Sequence, residues 1–129
     1  MDEHFMAPSG PLTEEHIAKM VAVFYQRARA HPSLGRVFNT VVADWDHHLA
    51  VVQDFWSRAL LATNRYSKHP YPAHVDLPIK REHFAQWLEL FRPAALENLP
   101  QEDAYTAIAK AEQIAESFRR GLFPFDPIN

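Results

Sequence analysis

The chain has no cysteine among its 129 residues. Disulfides, thiolate catalysis, thiolate metal sites and cysteine-linked prosthetic groups are therefore excluded. That absence fits a reducing compartment. Only three glycines are present, too few for a phosphate-cradling loop, and no P-loop, Gly-x-Gly-x-x-Gly or Gly-x-Ser-x-Gly string occurs. No apolar run approaches the roughly 20 residues of a membrane helix. Charge of one sign is not concentrated. The formal net charge is -3, and no basic block offers the positive surface that nucleic acid demands. Residues 1–12 lack the charged start and apolar run of a signal peptide, so a cytoplasmic protein is expected, with neither nucleic acid nor membrane as partner. No His-Glu-x-x-His string is found. The paired Glu-x-x-His motifs of a dinuclear bundle are missing too, since Glu14 to His16 and Glu82 to His83 have the wrong spacing.

What the chain does have is aromatic residues (nine Phe, three Trp), ten prolines and eight histidines. Its length suggests one domain, which can bury roughly two thirds of the surface of the unfolded chain. The prolines fall between periodic segments and read as helix punctuation. Residues 1–12 read as a loose leader. Thr13 is a plausible N-cap, with Glu14 and Glu15 in the first turn, where the helix dipole favours acids. Ile17, Val21, Phe24, Tyr25 and Ala28 recur at helical spacing, up to His31-Pro32, where the residue before proline avoids helical angles. Ser33 to Phe38 reads as a short turn of helix.

Asp44 caps a second long helix, expected over 45–63. At about 100° per residue, Trp45, His48, Leu49, Phe55, Trp56 and Ala59 lie within about 60° of Val52, whereas His47 lies about 140° away. Adjacent histidines thus receive opposite assignments: His48 in the apolar stripe, His47 in solvent. Asn64 to Pro78 is irregular, and a loop of that length in a small domain is often functional. A third long helix is expected over 80–97, with His83, Phe84, Trp87, Leu90, Phe91 and Ala94 on one face and Pro93 kinking or shortening it. A fourth, over 101–120, carries Ala104, Ile108, Ala111, Ala115, Phe118 and Leu122 in one stripe, with Gly121 placed to end it. The tail, 123–129, reads as extended. The fold class is all-α, and this pattern alone also fits a plain helical bundle.

Four residues invite a chemical reading. His74 stands in the proline-rich string His74-Val75-Asp76-Leu77-Pro78. It is either a solvated loop histidine or an axial ligand to iron, for which neutral imidazole is suited. His48 is either a satisfied core histidine or a group facing a bound ligand. Tyr25 and Trp87 lie on apolar faces, where aromatics are usually core. Each also carries a polar hydrogen that needs a partner once buried. Such donors stabilise a small ligand that gains negative charge. His16 and His83 fall on helix faces near apolar neighbours, while His4, His31, His47 and His69 read as solvated.

In order along the chain stand Phe24-Tyr25, Leu34-Gly35-x-x-Phe38-Asn39, Trp45-x-x-His48, Phe55-Trp56 and Tyr66 followed by proline. Then come His74-x-Asp76-Leu77-Pro78 and His83-Phe84-x-x-Trp87-Leu88-x-Leu90-Phe91. This ordered set resembles the group III truncated haemoglobins, over about residues 13–122. The resemblance implies a shortened globin in which two helix pairs sandwich haem b. By position, His74 matches the proximal iron ligand. Tyr25 and Trp87 match distal donors, and His48 the distal histidine often found in this group. Phe24, Phe38, Phe55 and Trp56 match residues that pack around the pocket, to which Trp87 also contributes. Arg65, Lys68 and Arg81 are candidates for the haem propionates by position and charge. The group lacks the glycine motifs of other truncated haemoglobins, in keeping with the three glycines here.

The expected function is reversible binding of dioxygen, nitric oxide or carbon monoxide at a His-ligated iron. An enzymatic alternative, oxidation of nitric oxide or peroxide activation, needs an external reductase as electron donor. A third reading, of another class, is a cofactor-free helical interaction module. A monomer is the default expectation.

Overall fold

The computed structural model describes residues 7–66 and 79–123. Among them the elements are all helical: α1 Glu14–Ala30, α2 Leu34–Val41, α3 Trp45–Leu61, α4 Arg81–Asn98 and α5 Gln101–Leu122. None is long and apolar enough to cross a membrane.

α1 starts where the sequence places it. Thr13 Oγ1 accepts from the His16 backbone N–H, and His16 Nδ1 accepts from the Thr13 N–H. The histidine thus takes the reciprocal role that Glu or Gln usually fills. Ile17, Met20, Val21, Phe24, Tyr25 and Ala28 form the buried stripe. His31 ends the helix in extended conformation before Pro32. Far from being solvated, His31 is half-buried, and its Nδ1 accepts the backbone N–H groups of Ser33 and Leu34. It thereby satisfies donors that the start of α2 leaves open. α2 is longer than a single turn and crosses close to α1 at Gly35. A Cβ there would stand 2.5 Å from the Arg29 carbonyl oxygen.

α3 is capped by Asp44, which accepts from the His47 N–H at 3.1 Å. It stops at Leu61, two residues early, because Ala62 turns left-handed at φ 58°. A half-buried polar clamp holds this end. Ser57 Oγ–H donates to Glu14 Oε2 and lies 2.7 Å from Thr63 Oγ1, and Gln53 Nε2 donates to Glu14 Oε1.

α4 matches the expected 80–97 within one residue at each end and is not shortened at Pro93. The helix continues through it to Asn98. Proline removes one N–H, so one carbonyl a turn earlier loses its partner. Here Glu89 and Pro93 are both exposed, and water can serve that carbonyl. Likewise α5 runs past Gly121 and ends at Leu122, where the Phe123 N–H bonds the Arg119 carbonyl.

The core is shared by α1, α4 and α5. Ala104, Ala107 and Ala111 are fully buried, and these small side chains let α5 lie close on α4. The α1–α3 pair meets the α4–α5 pair through α1 and α4. α3 is the exception to close packing. Only Trp56 and Ser57 are buried in it, while Trp45, Leu49, Val52 and Phe55 stay partly buried against the core.

Candidate functional site

The half-buried stripe of α3 is the uncommon feature. Burial of apolar area is worth about 25 cal/mol per Å², and a 17-residue amphipathic helix ordinarily closes its apolar face onto neighbours. Here Trp45, Leu49, Val52 and Phe55 on α3 share this condition with Phe38 on α2 and with Trp87, Leu88 and Leu90 on α4. Three elements thus present incompletely covered apolar, largely aromatic side chains.

Of the residues singled out by the sequence, Tyr25, His48, Trp87, Phe24, Phe38, Phe55 and Trp56 meet in one continuous ring system. Tyr25 is edge-on to Phe24, Phe38 and Trp45 at centroid separations of 4.9, 5.3 and 5.6 Å. It is also edge-on to His48 at 5.0 Å. Phe24 in turn touches Trp87 at 5.9 Å and Phe91 at 6.0 Å. Trp87, Phe91 and Trp56 form a stack, with Phe91 5.3 Å from Trp87 and 5.0 Å from Trp56. Phe55 then joins Trp56 to Tyr66 at 5.2 and 5.3 Å. Edge-to-face pairs are the favoured geometry of aromatic quadrupoles, so this packing fixes the rings as well as burying them.

Polar atoms within this system are few. Tyr25 Oη lies 3.0 Å from His48 Nε2. Burial pushes the Tyr25 phenol well above its ordinary pKa, since a phenolate would lose its hydration. The group is therefore a protonated hydroxyl at any physiological pH. His48 is half-buried and His47 exposed, as the 100° rule required.

His74 and Lys68 lie outside the described residues. Of the other propionate candidates, Arg65 is held by Glu14 at 3.4 Å and Asp54 at 3.9 Å, at the clamp that ends α3. His83 is part of the scaffold. Its Nδ1 accepts from the Lys80 N–H at 2.9 Å, and its Nε2 lies 2.9 Å from Ser33 Oγ. An accepting Nδ1 requires the neutral ring with its proton on Nε2, which then donates to Ser33. Desolvation lowers its pKa. Among the described residues no group of three or more His, Asp or Glu side chains is placed to hold a metal ion.

Sequence reasoning missed Phe91 and Trp45 as members of the site. Phe91 was legible as the residue four after Trp87, on the same face. Trp45 had a signal in its spacing to His48, and its rings lie 5.5 Å apart. The Arg29 guanidinium, 4.2 Å over the Trp45 ring, had none.

Taken together, the helix order, the two packed pairs and the aromatic face between them are those of a truncated globin, the two-over-two helical sandwich. The comparisons agree. No family model matches the sequence. The group 3 truncated hemoglobin ctb of Campylobacter jejuni is 30% identical over 119 residues, 88% of this chain and 94% of that protein. The crystal structure of a group III truncated hemoglobin from Campylobacter jejuni superposes with a TM-score of 0.85 at 29% identity. It covers 95% of this chain and all of the other. The chain belongs to the group III truncated haemoglobins.

Proposed function

We propose that this chain binds one haem b and, through it, reversibly binds dioxygen or another small diatomic ligand. The observation that carries this reading is the apolar face shared by α2, α3 and α4, with the Tyr25–His48 pair set into it. A flat aromatic macrocycle suits such a face. Covering Trp45, Leu49, Val52 and Phe55 gives the burial that α3 lacks, and Trp87 on α4 is covered with them. Family membership supports the same cofactor.

His74 would hold the iron by a ring nitrogen. The haem, when bound, supplies an iron with one coordination position open to a diatomic molecule. Every further contribution belongs to the side chains. Phe24, Phe38, Phe55 and Trp56 exclude water and fix the neighbouring rings. Trp87 makes no hydrogen bond among the described residues, so its indole N–H is available to a ligand with partial negative charge. The Tyr25 hydroxyl is available in one arrangement. If His48 carries its proton on Nε2, it donates to the Tyr25 oxygen and leaves the phenol proton for the ligand. If Nε2 is bare, the phenol proton is spent on His48.

The visible spectrum of the purified protein tests the reading, as isolated and after reduction under carbon monoxide. An intense porphyrin band that shifts with carbon monoxide and is lost in His74→Ala is the expected result. A protein that stays colourless after incubation with hemin would leave the cofactor-free helical module in its place. The paired donors also favour an enzymatic variant, oxidation of nitric oxide to nitrate in which dioxygen is the oxidant and supplies both added oxygen atoms, a separate reductase returning one electron per turnover. Stopped-flow mixing of oxygenated protein with nitric oxide decides it; slow decay without stoichiometric nitrate would sink it.

A further inference from the structure

An open groove of about 500 Å³ lies where α1 passes into α2. It is separate from the aromatic face, none of whose residues lines it. One wall comes from the end of α1, with Arg29 and His31. The other is one face of α2, where Arg36, Asn39 and Thr40 stand at helical spacing. The lining is rich in hydrogen-bond donors and holds no carboxylate. Among the described residues Arg29 and Arg36 form no ion pair, whereas Arg27, Arg65, Arg92, Arg119 and Arg120 all do.

Two of these donors are already oriented. The Arg29 guanidinium lies 4.2 Å over the Trp45 ring, and its Nε donates to Asn39 Oδ1 at 3.4 Å. Asn39 Nδ2 donates back to the Arg29 carbonyl oxygen at 3.3 Å. These contacts leave the two terminal nitrogens of Arg29 for a ligand. His31 Nδ1 accepts from the Ser33 and Leu34 N–H groups, so the neutral ring carries its proton on Nε2. Uncompensated positive charge in a chain of formal net charge -3 calls for an anion. One guanidinium matches a carboxylate, fork to fork. Two of them, with an imidazole N–H and a hydroxyl, match a phosphate group, which carries up to two negative charges and three or more acceptor oxygens. Size limits the occupant further. Small-molecule sites span roughly 300–1,000 Å³, and so few side chains fall far short of the roughly 20–30 residues that a protein partner engages. We infer that this groove binds the phosphate group of a small molecule. Arg29 and Arg36 take its oxygens, and His31 Nε2–H and Thr40 Oγ1–H add to them. The site is built from α1 and α2 side chains alone and does not depend on the haem reading.

Isothermal titration calorimetry of the purified protein at low ionic strength tests it, with inorganic phosphate, glycerol 3-phosphate and acetate as probes. Saturable binding of a phosphate-bearing probe at one site per chain is the expected result. Tighter binding of the ester assigns the site to an organic phosphate, and tighter binding of the inorganic anion to free phosphate. Arg36 is exposed and its side chain makes no hydrogen bond among the described residues, so Arg36→Gln removes a ligand contact and no packing. It should weaken phosphate binding about tenfold or more. Lys19→Gln removes the same charge from another exposed position and should leave the affinity within about twofold. Thr40→Val checks the groove at a second exposed position and should also weaken binding. The site is overturned by any of three outcomes: no saturable binding of either phosphate, acetate bound as tightly as phosphate, or Arg36→Gln and Thr40→Val no weaker than Lys19→Gln.

Discussion

At the residue scale the interest lies in three polar atoms inside an aromatic surround. A single hydrogen bond nets about 1–1.5 kcal/mol, which is roughly five- to tenfold in a rate. Trp87→Phe keeps the stack on Phe91 and removes the indole donor, so the dioxygen dissociation rate should rise by about that factor. Ligand-replacement stopped flow measures it, and an unchanged rate would remove Trp87 from the donor set. Tyr25 and His48 share one hydrogen bond, so their substitutions should not add. In a cycle of Tyr25→Phe, His48→Leu and the double variant, the coupling in the dioxygen off-rate should fall in the range of about 0.5–3 kcal/mol typical of contacting pairs. Strict additivity would mean that His48 does not govern the phenol proton. Much of this was legible beforehand. The 100° rule separated His48 from His47, and spacing put Tyr25 and Trp87 on apolar faces. The bond between Tyr25 and His48, 23 residues apart, was not legible, since no local pattern encodes which α1 residue meets which α3 residue.

At the element scale, several helix ends depend on chemistry more specific than propensity. The N-terminus of α4 rests on neutral His83, which accepts from Lys80 N–H and contacts Ser33. Its folded pKa is lowered, first by desolvation. The unfolded chain therefore binds the proton more readily. The stabilisation is complete above the unfolded value of about 6.5 and is lost as pH falls through the folded pKa. Urea midpoints measured downward from pH about 7.5 should fall across that window, and His83→Gln should flatten the decline. A slope unchanged by the substitution would assign the pH dependence elsewhere. At the α1–α2 corner, Gly35→Ala places a methyl 2.5 Å from the Arg29 carbonyl oxygen. Such backbone crowding should cost about 1–3 kcal/mol by urea denaturation. Sequence periodicity found every long helix here, with limits within about two residues of those observed. Pro93 and Gly121 carry stop signals, and α4 and α5 pass both. A breaker stops a helix only when the exposed alternative is better than continuing, and packing of Ala94, Ala95 and Asn98 in the core favours continuing.

At the scale of the whole molecule, the packed body of α1, α4 and α5 contrasts with the loosely covered α3. If the apolar face of α3 is completed by haem, the cofactor stabilises the fold by mass action. Removing it should cost helix content, with α3 losing most, because its buried residues are only Trp56 and Ser57. Far-UV circular dichroism of the apoprotein should show that loss and its recovery on adding hemin. An apoprotein with unchanged helicity and unchanged Tm would show that the face needs no ligand. Surface ion pairs such as Arg27–Glu97 and Arg92–Glu112 join helices at the rim and contribute little, about 0–1 kcal/mol each.

The sequence by itself determined the helical class, the order and approximate limits of the long helices, the capping residues Thr13 and Asp44, and the family. Those depend on local periodicity, on side chains reaching three or four residues along the chain, and on an ordered set of motifs. Only the tertiary structure decided that Tyr25 bonds His48. It also decided that His31 and His83 serve the backbone and that Arg65 is engaged by Glu14. Each of those depends on residues distant in sequence and on how closely two helices approach, and that distance is set by the sum of all side chains between them.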